Sequence, residues 1–175
     1  MLLRRAVPGD EAAVAEVHVG SWRAAYKGLL PDAYLARLDP VERARRYTFA
    51  AQGPEVPVTT VAVAGGVICG FATVGPARDA DAEDAGELYA IHVDPSWWGR
   101  GLGRALIGEA RRLLVERGHV ETTLWVLAGN SRAESLYHND GWRLDGAARR
   151  EEIGRGWGPA GTVSVEELRY RTQLR

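Results

Sequence analysis

One cysteine, Cys69, is all this chain carries, which rules out an internal disulfide. Lysine is nearly missing too: Lys27 is the single one among 22 cations, a bias of composition from which no function follows. Those cations face 23 acids, and no basic run is interleaved with aromatic residues, so the electrostatic footprint of a nucleic-acid binder is missing. No window approaches the roughly 20 apolar residues that a membrane-spanning helix needs. The opening Met-Leu-Leu-Arg-Arg lacks the apolar segment and cleavage site of a signal peptide, and with the lone cysteine this makes a reducing cytoplasm the expected location. His18, His92, His119 and His138 have no metal-ligand spacing with one another or with Cys69, so no metal is expected and each reads as a surface or packing residue. Cys69 lies in an apolar stretch and reads as a small buried hydrophobe.

What is present is an ordinary globular composition, 46% hydrophobic and 26% charged, over 175 residues, enough for one domain with a substantial core. The first third reads as helical. A short strand over Leu2 to Val7 is followed by Pro8-Gly9-Asp10, a turn and N-cap for a helix through Val14, Val17 and Trp22 that ends before Gly28 and Pro31. Asp39-Pro40-Val41-Glu42 sets a capping residue and proline ahead of a second helix, expected over Val41 to about Phe49. Val58 to Ala64 and Val67 to Val74, joined by Gly65-Gly66, predict an antiparallel hairpin.

After a polar loop from Gly75 to Gly86, a strand is expected over Glu87 to Val93. Leu102, Leu106, Ala110, Leu113 and Leu114 then line one face of a helix that stops at Gly118. Thr122 to Leu127 predicts a strand, Ser131 to Asn139 a helix, and Trp142 to Ala147 and Thr162 to Arg171 two closing strands. No repeat, low-complexity tract or linker interrupts this order, which is that of a mixed α/β domain spanning 1–175.

The connection between the central strand and the long helix holds Gly99, Gly101 and Gly103, with Arg100 and Arg104 between and beside them. Backbone N–H groups at such a turn can converge on an anion, helped by the helix N-terminus and the two guanidinium groups. The same glycines can also serve only to shape a tight turn. A nucleoside-triphosphate loop would need four residues between its glycines and a Gly-Lys-Ser/Thr ending, which is missing. The dinucleotide fingerprint fails in both frames, because its third glycine falls on Leu106 or Arg104.

Trp98-Gly99-Arg100-Gly101-Leu102-Gly103 resembles the signature of the GNAT superfamily of N-acetyltransferases, in which Gln or Arg is followed by two residues, Gly, one residue, and Gly or Ala. Trp98 stands where that family has Gln or Arg, a position whose side chain would touch the cofactor; contacts from the backbone do not depend on it. Glu87 to Pro95 resembles the family's central strand, and Asn130 to Tyr137 followed by Gly141-Trp142 resembles a second family motif about 27 residues on. The stretch Ser21 to Pro31 is similar to the first helix and loop of many members that act on small molecules, so the resemblance covers nearly the whole chain.

The resemblance implies a central mixed, mostly antiparallel twisted sheet, splayed at its central strands and flanked by helices. It implies acetyl-CoA as co-substrate, with its pyrophosphate on Trp98, Gly99, Arg100, Gly101, Leu102, Gly103 and Arg104. The pantetheine would lie along Ile91, His92 and Val93, with backbone groups offered by Ile91 and Val93. Asn130 would touch the pantetheine and Tyr137 the sulfur. A homodimer is common among proteins of this kind and among soluble oligomers generally.

Transfer of an acetyl group to an amine needs the neutral amine, and for a lysine-like group with a pKa of about 10.4 deprotonation at pH 7 costs roughly 4 to 5 kcal/mol. Glu87 is the leading carboxylate for that proton, directly or through water, unless it is an ordinary exposed strand end. Tyr137 is the expected acid for the departing thiolate, its alternative being a buried packing tyrosine. The oxyanion would be met by a strand N–H near Ile91.

Trp22 and Tyr26, four residues apart, share a helical face and line either an acceptor pocket or the core. Asp79, Asp81, Glu83 and Asp84 either draw in a cationic amine or form a solvated loop, and Trp157 in its glycine-rich loop is either a lid or a surface aromatic. The expected function is direct transfer, in a ternary complex, to a primary amine of a small molecule or peptide. Its rival is a catalytically silent acyl-CoA-binding module.

Overall fold

The computed structural model describes residues 1–154 and 160–174. Its spine is a seven-stranded sheet in the order β1-β2-β3-β4-β5-β7-β6. The strands are β1 (Leu2–Arg5), β2 (Val58–Ala64), β3 (Val67–Pro76), β4 (Gly86–Val93), β5 (Glu121–Leu127), β6 (Arg143–Ile153) and β7 (Val163–Gln173). All neighbours are antiparallel except β4 and β5, which run parallel.

That parallel pair is held only at its start. Gly86 faces Thr122 and Glu87 faces Thr123, and no further register follows. The sheet therefore splays beyond Glu87, as the resemblance implies. Asp94 N–H donates to the Cys69 carbonyl of β3 at 2.9 Å. Since in-plane groups alternate along a strand, the N–H and C=O groups of Ile91 and Val93 point the other way, toward the open side of β4.

Helix α1 (Glu11–Ala25) and helix α4 (Leu102–Glu116) cover opposite faces of the sheet. Val14 and Val17 of α1 pack on Val61 and Phe71, whereas Leu102, Leu106, Ala110 and Leu113 of α4 pack on Ala62, Ala72, Val74 and Leu88. With both faces covered, the inner strands read as continuous apolar runs, and this is why β2 and β3 were legible. The hairpin turns on Gly65-Gly66, both with positive φ.

Helix α4 follows its N-cap Gly101, which takes a left-handed conformation (φ 80°), and ends before Gly118 (φ 90°). Helix α5 (Ser131–Asn139) is capped by Asn130, whose Oδ1 accepts from Ala133 N–H at 3.3 Å.

Several elements differ from expectation. Asp10 precedes α1 without capping it by its side chain: the carboxylate instead takes Arg4 at 2.7 and 3.0 Å and Val7 N–H at 2.9 Å, tying the helix start to β1. A short helix α2 (Asp32–Ala36) follows Pro31. The helix expected to reach Phe49 is a single turn, α3 (Pro40–Ala44), capped by Asp39 as foreseen. Past it the backbone tightens into i to i+3 bonds at Arg46 and Tyr47, and Tyr47 and Phe49 stack on each other beside the α1 cluster.

A 3₁₀ turn over Pro95–Trp97 precedes the glycines. β6 runs well past Ala147 because Arg149 of its charged stretch pairs with Glu167 of β7 at 2.7 Å. An edge strand tolerates such charge.

Candidate active site

Where β4 and β5 part, a cleft of about 650 Å³ opens through the sheet. Its floor on one side is the β4 edge at Ile91 and Val93. Its rim is the turn of Gly99, Gly101 and Gly103, and its far wall is Asn130, Arg132 and Tyr137 of the α5 segment. Trp22 and Tyr26 close the end beneath α1. The structure thus gathers residues that lie up to 149 positions apart in the chain, from His18 to Glu167.

Gly99 (φ 75°) and Gly101 (φ 80°) hold backbone conformations that side chains resist, and a Cβ on either would point into open space. A ligand can approach both backbones. Gly103 has a different reason: a Cβ there would stand 3.1 Å from Leu136, so this glycine lets α4 and α5 pack closely. Arg100 and Arg104 are exposed and lie outside the cleft wall, Arg100 stacking on the Trp97 ring at 5.0 Å.

The cleft cation beside this turn is Arg132, which sequence reasoning passed over; its guanidinium lies 4.1 Å from the centre of the Trp98 ring. Trp98 folds back along β4 and donates Nε1–H to the Val93 carbonyl at 2.9 Å. Of the outward groups of β4, that carbonyl is therefore occupied by an indole. Asn130 uses its side-chain oxygen as a helix cap, which leaves its NH₂ group as the donor it can offer to the cleft.

Tyr137 is buried between Trp142 and Tyr170, at ring separations of 6.1 and 6.0 Å, and reaches the cleft. Burial, with a smaller contribution from Tyr26, raises its phenol well above the usual tyrosine value. It stays protonated across the neutral range. Tyr26 is raised in the same way by burial and by Glu167. Trp22 and Tyr26 meet edge to face at 5.0 Å and also pack on the cluster of Val19, Leu30 and Leu35, so they serve core and cleft together.

Glu87 is almost fully buried but is not part of the cleft wall. Its carboxylate accepts from the Arg78 backbone N–H at 3.0 Å and from Arg78 Nε at 3.2 Å, and Nη2 of the same guanidinium closes the pair. It is Arg78 that lines the cleft, stacked 4.2 Å over the Tyr89 ring.

The acidic loop is likewise engaged. Buried Arg169 of β7 holds Asp81 at 2.6 and 2.7 Å, Asp79 at 3.2 Å and Asp145 at 2.7 Å, while Trp125 Nε1–H donates to Asp79 at 2.9 Å. Asp79 and Asp81 pin the loop to the sheet, and Glu83 and Asp84 are exposed. Trp157 lies outside the described residues.

Two histidines line the cleft: His18, expected to be a surface or packing residue, and His92, expected beside the pantetheine, whose backbone pairs with Phe71 of β3 and whose ring reaches the cleft. His92 and His18 stack with ring centres 4.3 Å apart, and both border the cleft beneath α1. Alternation along β4 sends Ile91 and Val93 toward α4 and His92 toward α1, a signal available in the sequence. That α1 would set His18 and Ser21 against it was not.

Burial pushes both imidazoles down, His92 to about 3, and Arg43 adds to the effect on each. Both are neutral at physiological pH. Cys69 is buried and donates its thiol to the Ala62 carbonyl at 3.3 Å, in keeping with a packing role. Among the described residues no group of three or more His, Cys, Asp or Glu is gathered to hold a metal, and no helix is long and apolar enough to cross a membrane.

A model of the acetyltransferase (GNAT) family matches residues 22–142. An uncharacterized N-acetyltransferase of Bacillus subtilis (strain 168), YuaI, is 30% identical over 169 residues, covering 89% of this chain and 91% of that protein. An aminoglycoside N(6')-acetyltransferase type 1 of Stenotrophomonas maltophilia is 30% identical over 155 residues, covering 86% and 88%. The crystal structure of the PaiA N-acetyltransferase from Thermoplasma acidophilum in complex with coenzyme A superposes with a TM-score of 0.71 over 98% of both chains, at 18% identity.

Proposed function

Because the chain belongs to the acetyltransferase (GNAT) family, we propose that it carries an acetyl group from acetyl-CoA to the primary amine of a small molecule or peptide, directly, with both substrates in the cleft. The observation that carries this reading is the separation of β4 from β5 after Glu87, which opens a strand edge into a cleft bordered by the Gly99–Gly103 turn and Tyr137. An amide-bearing arm can pair with that edge as an added strand would. The open glycine backbones, the N-terminus of α4 and Arg132 suit the phosphates.

Acetyl-CoA supplies the thioester. The chain supplies position: Ile91 N–H and C=O and Val93 N–H are free to hold the arm, and Asn130 adds an amide donor. A β4 N–H directed into the splay is placed to meet the oxyanion as it develops. Tyr137, kept protonated by burial, donates to the departing sulfur. Trp22 and Tyr26 form an aromatic wall for the acceptor.

We assign Glu87 the task of holding Arg78 at the acceptor end rather than that of base, since its carboxylate is already occupied by one guanidinium and one backbone N–H. The whole chain acts as one catalytic domain in this reading, and its lone buried cysteine suits a reducing cytoplasm. The test is a screen for CoA thiol release over aminoglycosides, polyamines, small metabolic amines and peptide N-termini. Release that depends on an added amine is expected; CoA binding with no release from any of them would favour a silent acyl-CoA-binding module.

A further inference from the structure

We propose that His92 receives the proton of the attacking amine on its Nε2, and that Ser21 is the positioning residue that holds the ring in the tautomer able to do so. The proposal rests on the acetyl-transfer reading above and names a residue for its proton.

The tautomer follows from counting hydrogens. Ser21 Oγ has one, and donates it to the His18 carbonyl at 2.9 Å. Toward His92 Nδ1, 2.9 Å away, the same oxygen can then only accept. The hydrogen on His92 is therefore on Nδ1, and Nε2 carries the lone pair. Nε2 makes no hydrogen bond among the described residues, and the ring lines the cleft on the side of Trp22 and Tyr26.

The surroundings keep the ring uncharged and fixed. His18 stacks on it at 4.3 Å and Phe71 flanks it at 5.4 Å. His18 Nδ1 accepts from Arg43 Nε–H at 3.2 Å and from the Tyr47 hydroxyl at 2.5 Å, so that ring is neutral with its hydrogen on Nε2. The titratable or charged groups around His92 are thus His18 from α1, Arg43 from α3 and Tyr47 after it. Burial together with Arg43 disfavours a second charge there.

In the step itself the amine lone pair forms the N–C bond to the thioester carbon and the C–S bond breaks. The amine proton passes to His92 Nε2, and the electron pair left on sulfur takes a proton from the Tyr137 hydroxyl. The negative charge that gathers on the thioester oxygen makes the ring more basic as the proton arrives. The proton on His92 is then lost to water, the tyrosinate regains one, and the products are amide and free thiol.

The experiment compares the unaltered protein with His92→Phe, His92→Gln and Ser21→Ala. It measures kcat and KM for an amine found in the screen, and acetyl-CoA affinity by calorimetry. Expected are a loss of about a hundredfold or more in kcat for both His92 variants and about tenfold for Ser21→Ala, with acetyl-CoA affinity unchanged within about twofold. Retention of kcat within about threefold in the His92 variants overturns the assignment. So does a loss of acetyl-CoA binding that parallels the loss of kcat in both, which makes the ring a packing element. No thiol release by the unaltered protein with any amine overturns the acetyl-transfer reading, and this assignment with it.

Discussion

The indole of Trp98 donates to the carbonyl oxygen of Val93 at 2.9 Å while the Arg132 guanidinium rests on its other ring atoms, 4.1 Å from the ring centre. A residue that stands where the signature calls for Gln or Arg thus brings a cation to the glycine turn from another helix. It also closes one backbone acceptor on β4.

Trp98→Ala should release Arg132 from its stacking surface and weaken acetyl-CoA binding roughly three- to tenfold, in line with a cation–π contact of about 0.5–1 kcal/mol plus lost orientation. Calorimetry on the two proteins checks this. Equal affinity would mean that Arg132 does not depend on the indole.

Tyr137→Phe removes one hydroxyl and leaves the ring between Trp142 and Tyr170. Turnover should fall by about a hundredfold with acetyl-CoA affinity little changed. Steady-state rates with a good acceptor, set beside binding data, read the two effects apart.

Glu87→Gln keeps the size of the side chain and an oxygen for the Arg78 N–H, but weakens its hold on the guanidinium. We expect KM for the acceptor to rise severalfold and kcat to stay within about fivefold. A loss of a hundredfold in kcat would return Glu87 to the role of base.

Acid should destabilise the fold through two histidines. His18 and His92 are held neutral in the folded protein, His92 to about pH 3, whereas in the unfolded chain each binds a proton near 6.5. The unfolded state therefore binds more protons below 6.5, and the stability present above that pH is lost as it falls, by up to about 1.4 kcal/mol per pH unit for each ring. Denaturant unfolding from pH 7 to 4 should show the decline, and His92→Phe should shallow it. An unchanged slope in the variant would place the protonation elsewhere.

The sheet and the long helices were legible because their signals are local: paired apolar runs about Gly65-Gly66, and one apolar face from Leu102 to Leu114 that stops at Gly118. Elements fixed by tertiary contact were not. The second helix stops at Ala44 because the following turn delivers Tyr47 to His18, and β6 extends because Arg149 finds Glu167 across the strand. At the site, the glycine turn and Tyr137 were visible as motifs. Arg132, Ser21 and His18 were not, since each acquires its place only when distant elements meet at the cleft. Asp79 and Asp81 looked free for a ligand because Arg169, about 90 residues away, is invisible to local reading.

Direct transfer with both substrates in the cleft is tested most simply by mixing protein and acetyl-CoA with and without an acceptor amine, then measuring free thiol, acetylated amine and the mass of the protein. Direct transfer gives no release beyond background without amine, equal amounts of thiol and acetylated product with it, and an unmodified protein throughout. An acetylated protein formed from acetyl-CoA alone, or thiol release that ignores the amine, would contradict it.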